Sequence, residues 1–286
     1  MGSNGFDAFA ASSVFENIIK KEALSLNIAF ACFYGSRNYN LETDKSDYDF
    51  FIVYYPSFEN FYTHTFSRSS VIEKDYDYFI TPFHEYFRHA MNGNIKFIEP
   101  LICGTFAYGI KNSERFSGVL KLTEKIKKFI LINFKKNFDA ISGIMKNKKL
   151  NIEKEEYTSN TLKYKDLYGY DIKEAINSLR LAYLLENYIK TGEFSFTVKQ
   201  NPVYEEFEIY MNDINASKIS KNYYLDIINK KIKDLAGLEQ ILISKEESVK
   251  TELTGIKRGL GKDIMDICKA EACFVPNPDL ETIYKF

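Results

Sequence analysis

The chain of 286 residues contains no tryptophan, only three histidines, four cysteines and six prolines. His84 and His89 stand five apart, poor spacing for one helix face, and with His64 they make no metal-binding set. Cys32, Cys103, Cys268 and Cys273 show neither a CxxC step nor a zinc-like pattern, which leaves free thiols in a reducing compartment. No apolar run reaches the roughly eighteen residues of a membrane-spanning helix, and the opening MGSNGFDAFA lacks the basic start and apolar stretch of a signal peptide. A cytoplasmic protein without a membrane partner is expected. A formal net charge of -1 excludes a uniformly basic nucleic-acid coat.

A hydrophobic content of 45% supports a globular core, with 24 Phe and 21 Tyr to fill it. Ser13-Val14-Phe15-Glu16 has the form of a capping box and opens a predicted helix to about Leu26. Ile28 to Tyr34 is a continuous apolar run, read as a buried strand. A second strand is predicted from Tyr48 to Tyr55, ended by Pro56, and the polar, aromatic connection 57–69 has no assignment. The stretch SVIEKDYDYFIT (70–81) reads as a further strand with Glu73, Asp75 and Asp77 on one face. A helix follows Pro82, is broken at Asn92-Gly93-Asn94, and gives way to the apolar segment Ile95–Ile102.

Composition changes after Gly118. Residues 121–150 carry nine Lys against Glu124 and Asp139, a helical stretch with a local excess of positive charge. Residues 151–165 read as a loop. Asp171 is placed as the N-cap of a helix reaching Lys190 and ending near Gly192. Helices are predicted at 203–215 and 219–247, with a last one closed by Pro276 and Pro278. Strands before residue 105 and helices after it predict an α/β N-terminal domain, residues 1–118, and a helical domain, residues 119–286.

Residues 33–53, FYGSRNYNLETDKSDYDFFIV, carry the chemistry. Asp47 and Asp49, at i and i+2, would share one face of a strand and repel at close range. A divalent cation would remove that repulsion and hold a phosphate. Gly35 lets backbone N–H groups approach a phosphate, and Ser36 adds a hydroxyl. Arg37 is either a phosphate contact or a loop-solvating charge. Asp77 is the candidate third carboxylate, with Asp75 the alternative. On the helix from Asp171, Lys173, Asn177 and Arg180 fall on one face, and Lys173 and Arg180 are candidate triphosphate contacts. Tyr168 and Tyr170 upstream are candidates for stacking on a base.

Three segments, GSRNYNLETDKSDYDF, ITPFHEYFRHAMNGNIKFIEPLICG and YGYDIKEAINSLRLAYLLENYIKTGEF, resemble the DNA polymerase β-like nucleotidyltransferase superfamily. Within it the chain looks most like the bacterial and phage nucleotidyltransferases associated with RNA repair. The resemblance implies an α+β fold: a small mixed sheet with helices on one side, then a helical C-terminal region closing the cleft. It implies transfer of a nucleoside monophosphate from an NTP, ATP favoured, with Mg²⁺ or Mn²⁺ as cofactor and pyrophosphate released. Gly35, Ser36, Asp47, Asp49 and Asp77 match the family's site. An RNA 3′ end or tRNA is the favoured acceptor. A protein or small-molecule acceptor, as in AMPylation, and a nucleotide- or RNA-binding module without turnover are the alternatives.

Overall fold

The computed structural model describes residues 9–43, 46–109, 117–157 and 161–272. Its chain forms two compact units, interleaved in sequence: Met1–Met91, Lys96–Phe129 and Glu252–Phe286 in the first, Asn92–Ile95 and Ile130–Thr251 in the second. The architecture is α+β, a mixed sheet with helices followed by a helical region.

In the first unit, β1 (Asn27–Tyr34), β2 (Tyr48–Tyr55), β3 (Ser69–Ile72), β4 (Tyr76–Pro82) and β5 (Phe106–Tyr108) form one five-stranded sheet in the order β3-β4-β2-β1-β5. Only the β2–β4 pair is parallel. β1 and β2 are apolar almost throughout because both sheet faces are covered, so their residues read as continuous runs rather than alternating ones.

On one face Ala31, Phe33, Phe50, Ile52, Tyr54, Tyr78 and Ile80 pack on Phe15, Ile18 and Ile19 of helix α1 (Ser13–Ala23). Ser12, not Ser13, caps α1, accepting from the Phe15 N–H at 3.3 Å, so the expected capping box with Glu16 does not form. The segment 57–69 contains helix α2 (Phe58–Thr63), which has a capping box of its own between Ser57 and Asn60.

Helices cover the other face as well, which corrects the one-sided arrangement. Phe30 and Phe51 meet Tyr86 of α3 (Phe83–Met91) edge to face at 5.3 and 5.5 Å between centroids. Phe51 also meets Phe97 of α4 (Ile95–Cys103) at 4.7 Å. Such ring pairs contribute about 0.5–1.5 kcal/mol each beyond burial. The single strand expected at 70–81 is a hairpin. β3 and β4 pair antiparallel, and Glu73 and Asp75 lie in the connection between them rather than on a common face with Asp77.

Helix α5 (Ser117–Ile132) leads into α6 (Phe134–Lys154), and the loop expected over 151–165 holds the short helix α7 (Leu162–Tyr168). In the second unit, α8 (Ile172–Thr191) is the central element. Asp171 caps it, accepting from the N–H groups of Lys173 and Glu174 at 3.0 and 3.1 Å, and Gly192 ends it at φ 84. Tyr188 of α8 stacks on Phe194 at 4.1 Å and accepts from Asn137 of α6 at 2.8 Å. Helices α9 (Glu205–Asn215), α10 (Lys221–Gly237) and α11 (Glu239–Ala272) follow among the described residues; Cys273, Pro276 and Pro278 lie outside them. Among the described residues no helix is long and apolar enough to cross a membrane.

Candidate functional site

β1 ends where β2 and β4 begin, and the polar residues collect at that edge of the sheet. Tyr34 is the register partner of Asp49, and Asp49 is the register partner of Asp77. In-register residues on neighbouring strands project to the same side. The two carboxylates therefore face one another on the side occupied by Phe51 and Phe79. Asp77 Oδ1 also accepts from the Glu73 N–H at 3.3 Å. Asp75 lies before β4 and is exposed, and its carbonyl accepts from the Tyr48 N–H at 3.0 Å. The hairpin thus places Asp77, not Asp75, opposite Asp49. Asp47 is exposed and precedes β2, one residue outside the strand.

Gly35 follows β1 with φ of 98° and leads into a single 3-10 turn, Ser36–Tyr39. A Cβ on Gly35 would lie 2.6 Å from Oδ2 of Asp49. Glycine is needed here for its torsion and for the space. The Gly35 N–H does not point to an open phosphate site, however. It donates to Glu99 Oε1 of α4 at 2.6 Å, and Asn38 Nδ2 donates to the same oxygen at 2.8 Å. The Tyr39 hydroxyl donates to Oε2. Glu99 is 1% exposed. A buried carboxylate that receives three donors locks the turn against the end of the sheet.

The guanidinium of Arg37 stacks on Tyr48 at 4.0 Å from the ring centroid, and Nη2 donates to the Ser46 carbonyl at 2.8 Å. Arg37 thereby ties the start of the loop to its end and fixes where β2 begins.

The charges in this region perturb each other. Burial, then the charges of Asp49 and Asp77, raise the Tyr34 hydroxyl far above its ordinary range. Lys96, in the first turn of α4, has its pKa lowered by burial, against the opposing pull of Asp49, Asp77 and Glu99. Neither Lys96 nor Glu99 figured among the sequence candidates. The signal was present in IKFIEPLIC, where a lysine and a glutamate three residues apart stand in an otherwise apolar helix.

Lys173 and Arg180 belong to the second unit. Lys173 is exposed, but Arg180 is only 6% exposed, so the polar stripe read from their spacing is not a uniform surface. Tyr170 is buried, donates to the Ile219 carbonyl at 3.0 Å and stacks on Tyr224, and Tyr168 lies 6.1 Å from the Tyr164 ring. Five of the nine lysines of the 121–150 stretch form ion pairs. Lys125, Lys127, Lys135, Lys148 and Lys149 pair with Asp263, Glu124, Asp139, Glu174 and Glu153 at 2.6–2.9 Å.

Carboxylate oxygens are the donors a hard divalent cation takes. Mg²⁺ is commonly held by one or two carboxylates together with substrate phosphates and water. Asp49 and Asp77 fit that requirement. Among the described residues no three His, Cys, Asp or Glu side chains are gathered closely enough to form an all-protein metal cage.

No protein-family model matches the chain. No curated protein matches it either. Among solved structures it is similar to a nucleotidyltransferase-like protein from Exiguobacterium sibiricum, with 13% identity over 80% of this chain and 73% of that one and a TM-score of 0.32.

Proposed function

We propose that this chain is a nucleotidyltransferase that moves a nucleoside monophosphate from an NTP, ATP favoured, to an acceptor hydroxyl and releases pyrophosphate. One observation carries the reading: Asp49 and Asp77 face each other in register beside a glycine turn with no room for a side chain. Two carboxylates set against each other at the starts of neighbouring strands are costly to fold and suit a site that binds cations and phosphates.

Asp49 and Asp77 would hold Mg²⁺ or Mn²⁺ together with substrate phosphates and water, while Asp47, exposed just before β2, is not gathered with them into a three-carboxylate set. When bound, the ion supplies charge neutralisation at the triphosphate. Asp77 also takes the proton of the acceptor hydroxyl. Glu99 occupies the Gly35 N–H, so the turn's contact with phosphate falls to the Ser36 hydroxyl. Arg37 keeps the loop before Asp47 closed. Lys173, exposed near the start of α8, stays a candidate triphosphate contact on its sequence spacing. The burial of Arg180 gives it a packing role in α8 first.

An RNA 3′ end is the acceptor proposed, on the family likeness of the sequence. The ion pairs along α5 and α6 reduce the positive field available to RNA, which makes a protein side chain the competing acceptor. Incubation with each α-labelled NTP, Mg²⁺ and total RNA separates these cases. Label is expected in RNA and is expected to vanish in Asp49→Ala and Asp77→Ala. Label that survives both substitutions sinks the site. Label in protein alone reassigns the acceptor. Tight NTP binding without transfer to any acceptor favours a binding module.

A further inference from the structure

Two half-buried carboxylates facing each other need a counter-charge. The fold provides one from its own chain. Nζ of Lys96 lies 3.7 Å from the ring centroid of Phe79, 4.3 Å from that of Tyr34 and 5.7 Å from that of Phe51. Tyr34 is the strand partner of Asp49, and Phe51 and Phe79 follow Asp49 and Asp77 by two residues on the same side of their strands. The three rings therefore hold the ammonium one step along the sheet from both carboxylates, and the charges of Asp49, then Asp77, then Glu99 act on it. Ring faces favour a cation there, but burial alone does not. The carboxylates make up the difference.

We infer that Lys96 is the counter-cation of the Asp49–Asp77 pair in the metal-free protein, and that it gives way when a divalent cation binds and turns to the triphosphate instead. The inference rests on the proposed use of that pair. It has two consequences of opposite sign. Lys96 competes with a free divalent cation and weakens its binding. Once the nucleotide is present, the same ammonium gains a phosphate partner and strengthens binding of the complex.

Lys96→Met keeps the length of the side chain and its packing on the rings. Mn²⁺ alone, titrated with the free ion read by electron paramagnetic resonance, is expected to bind this variant about tenfold more tightly than the parent chain. Binding of a non-hydrolysable ATP analogue with Mg²⁺ is expected to weaken by a similar factor. General damage to the site would weaken both. Equal or weaker Mn²⁺ binding by Lys96→Met overturns the inference and leaves the proposed function standing. Absence of Mn²⁺ binding in both proteins overturns the inference together with the metal reading of the site. Reductive methylation of the parent chain, read by mass spectrometry at Lys96, tests the same point without a variant. The amine is expected to react slowly alone and faster with saturating Mn²⁺, and an unchanged rate counts against the inference whatever the variant does.

Discussion

The hydrogen that Gly35 carries in place of a side chain faces Asp49, whose Oδ2 lies 2.6 Å from where a Cβ would be. At φ of 98° the same residue holds a torsion that costs an L side chain about 1–3 kcal/mol. The turn and the carboxylate therefore occupy one position jointly. Gly35→Ala is expected to lower unfolding free energy by about 1–3 kcal/mol and to shift Asp49 enough to abolish nucleotide transfer. Urea unfolding and the label assay read the two effects separately. Full retention of both would mean that Asp49 does not depend on the turn.

Glu99 anchors that turn from the opposite side, accepting from Gly35, Asn38 and Tyr39 while almost wholly buried. Glu99→Gln preserves shape but replaces one accepting oxygen by an NH₂ group aimed at donors. Charge-assisted bonds contribute about 1.5–3 kcal/mol each, so a loss of about 2–4 kcal/mol in urea unfolding is expected. A change below about 0.5 kcal/mol, the range of an ordinary surface substitution, would remove Glu99 from this role.

Strands β1 and β2 and the two ends of α8 were legible because each is written locally: in an apolar run, an N-capping Asp171, a C-capping Gly192. The hairpin at 70–81 was not. Glu73, Asp75 and Asp77 fall at alternating positions as one face of a strand would, and only the antiparallel pairing of Ile72 with Asp77 shows that the chain reverses between them. Asp49 and Asp77 were identifiable by residue type, but their mutual register is a property of β2–β4 pairing across some thirty residues. Glu99 and Lys96 stayed hidden for the same reason. Their partners lie in the loop and strands that α4 meets only after folding. Nor can spacing show that Tyr48 and the Ser46 carbonyl hold Arg37.

Lys173 and Arg180, joined by helical spacing, are expected to separate in experiment. Lys173 is exposed, and Lys173→Ala should leave unfolding free energy within about 0.5 kcal/mol of the parent. Arg180 is 6% exposed within α8, and Arg180→Ala removes a buried stem and charge, at an expected cost above about 2 kcal/mol. If Lys173 also contacts the triphosphate, its substitution raises KM for the NTP at unchanged stability. Equal destabilisation by both substitutions would restore the reading of one common stripe.

Acid is expected to weaken the fold in two steps. Burial lowers the pKa of both His84 and His89 below their ordinary 6.5. The unfolded chain therefore binds those protons first, and stability declines as pH falls through 6.5 toward the folded values. The hydrogen bond from Arg68, with Nε at 2.6 Å, is the largest cause holding the Glu85 carboxyl below its ordinary 4.5. Its contribution is present above 4.5 and is lost as pH falls through the depressed folded value. Glu186, lowered against burial by the Lys190 hydrogen bond and the charge of Lys231, and Glu206, lowered first by the Tyr183 hydroxyl and then by Lys231, act with the same sign in that lower window. Urea unfolding at pH 7.5, 5.5 and 4 resolves the steps. The double variant His84→Gln, His89→Gln should flatten the upper step and leave the lower one intact. Glu85→Gln should reduce the lower step without abolishing it, because Glu186 and Glu206 still titrate. An upper step of unchanged slope in the histidine variant would show that other groups set the stability between pH 7.5 and 5.5.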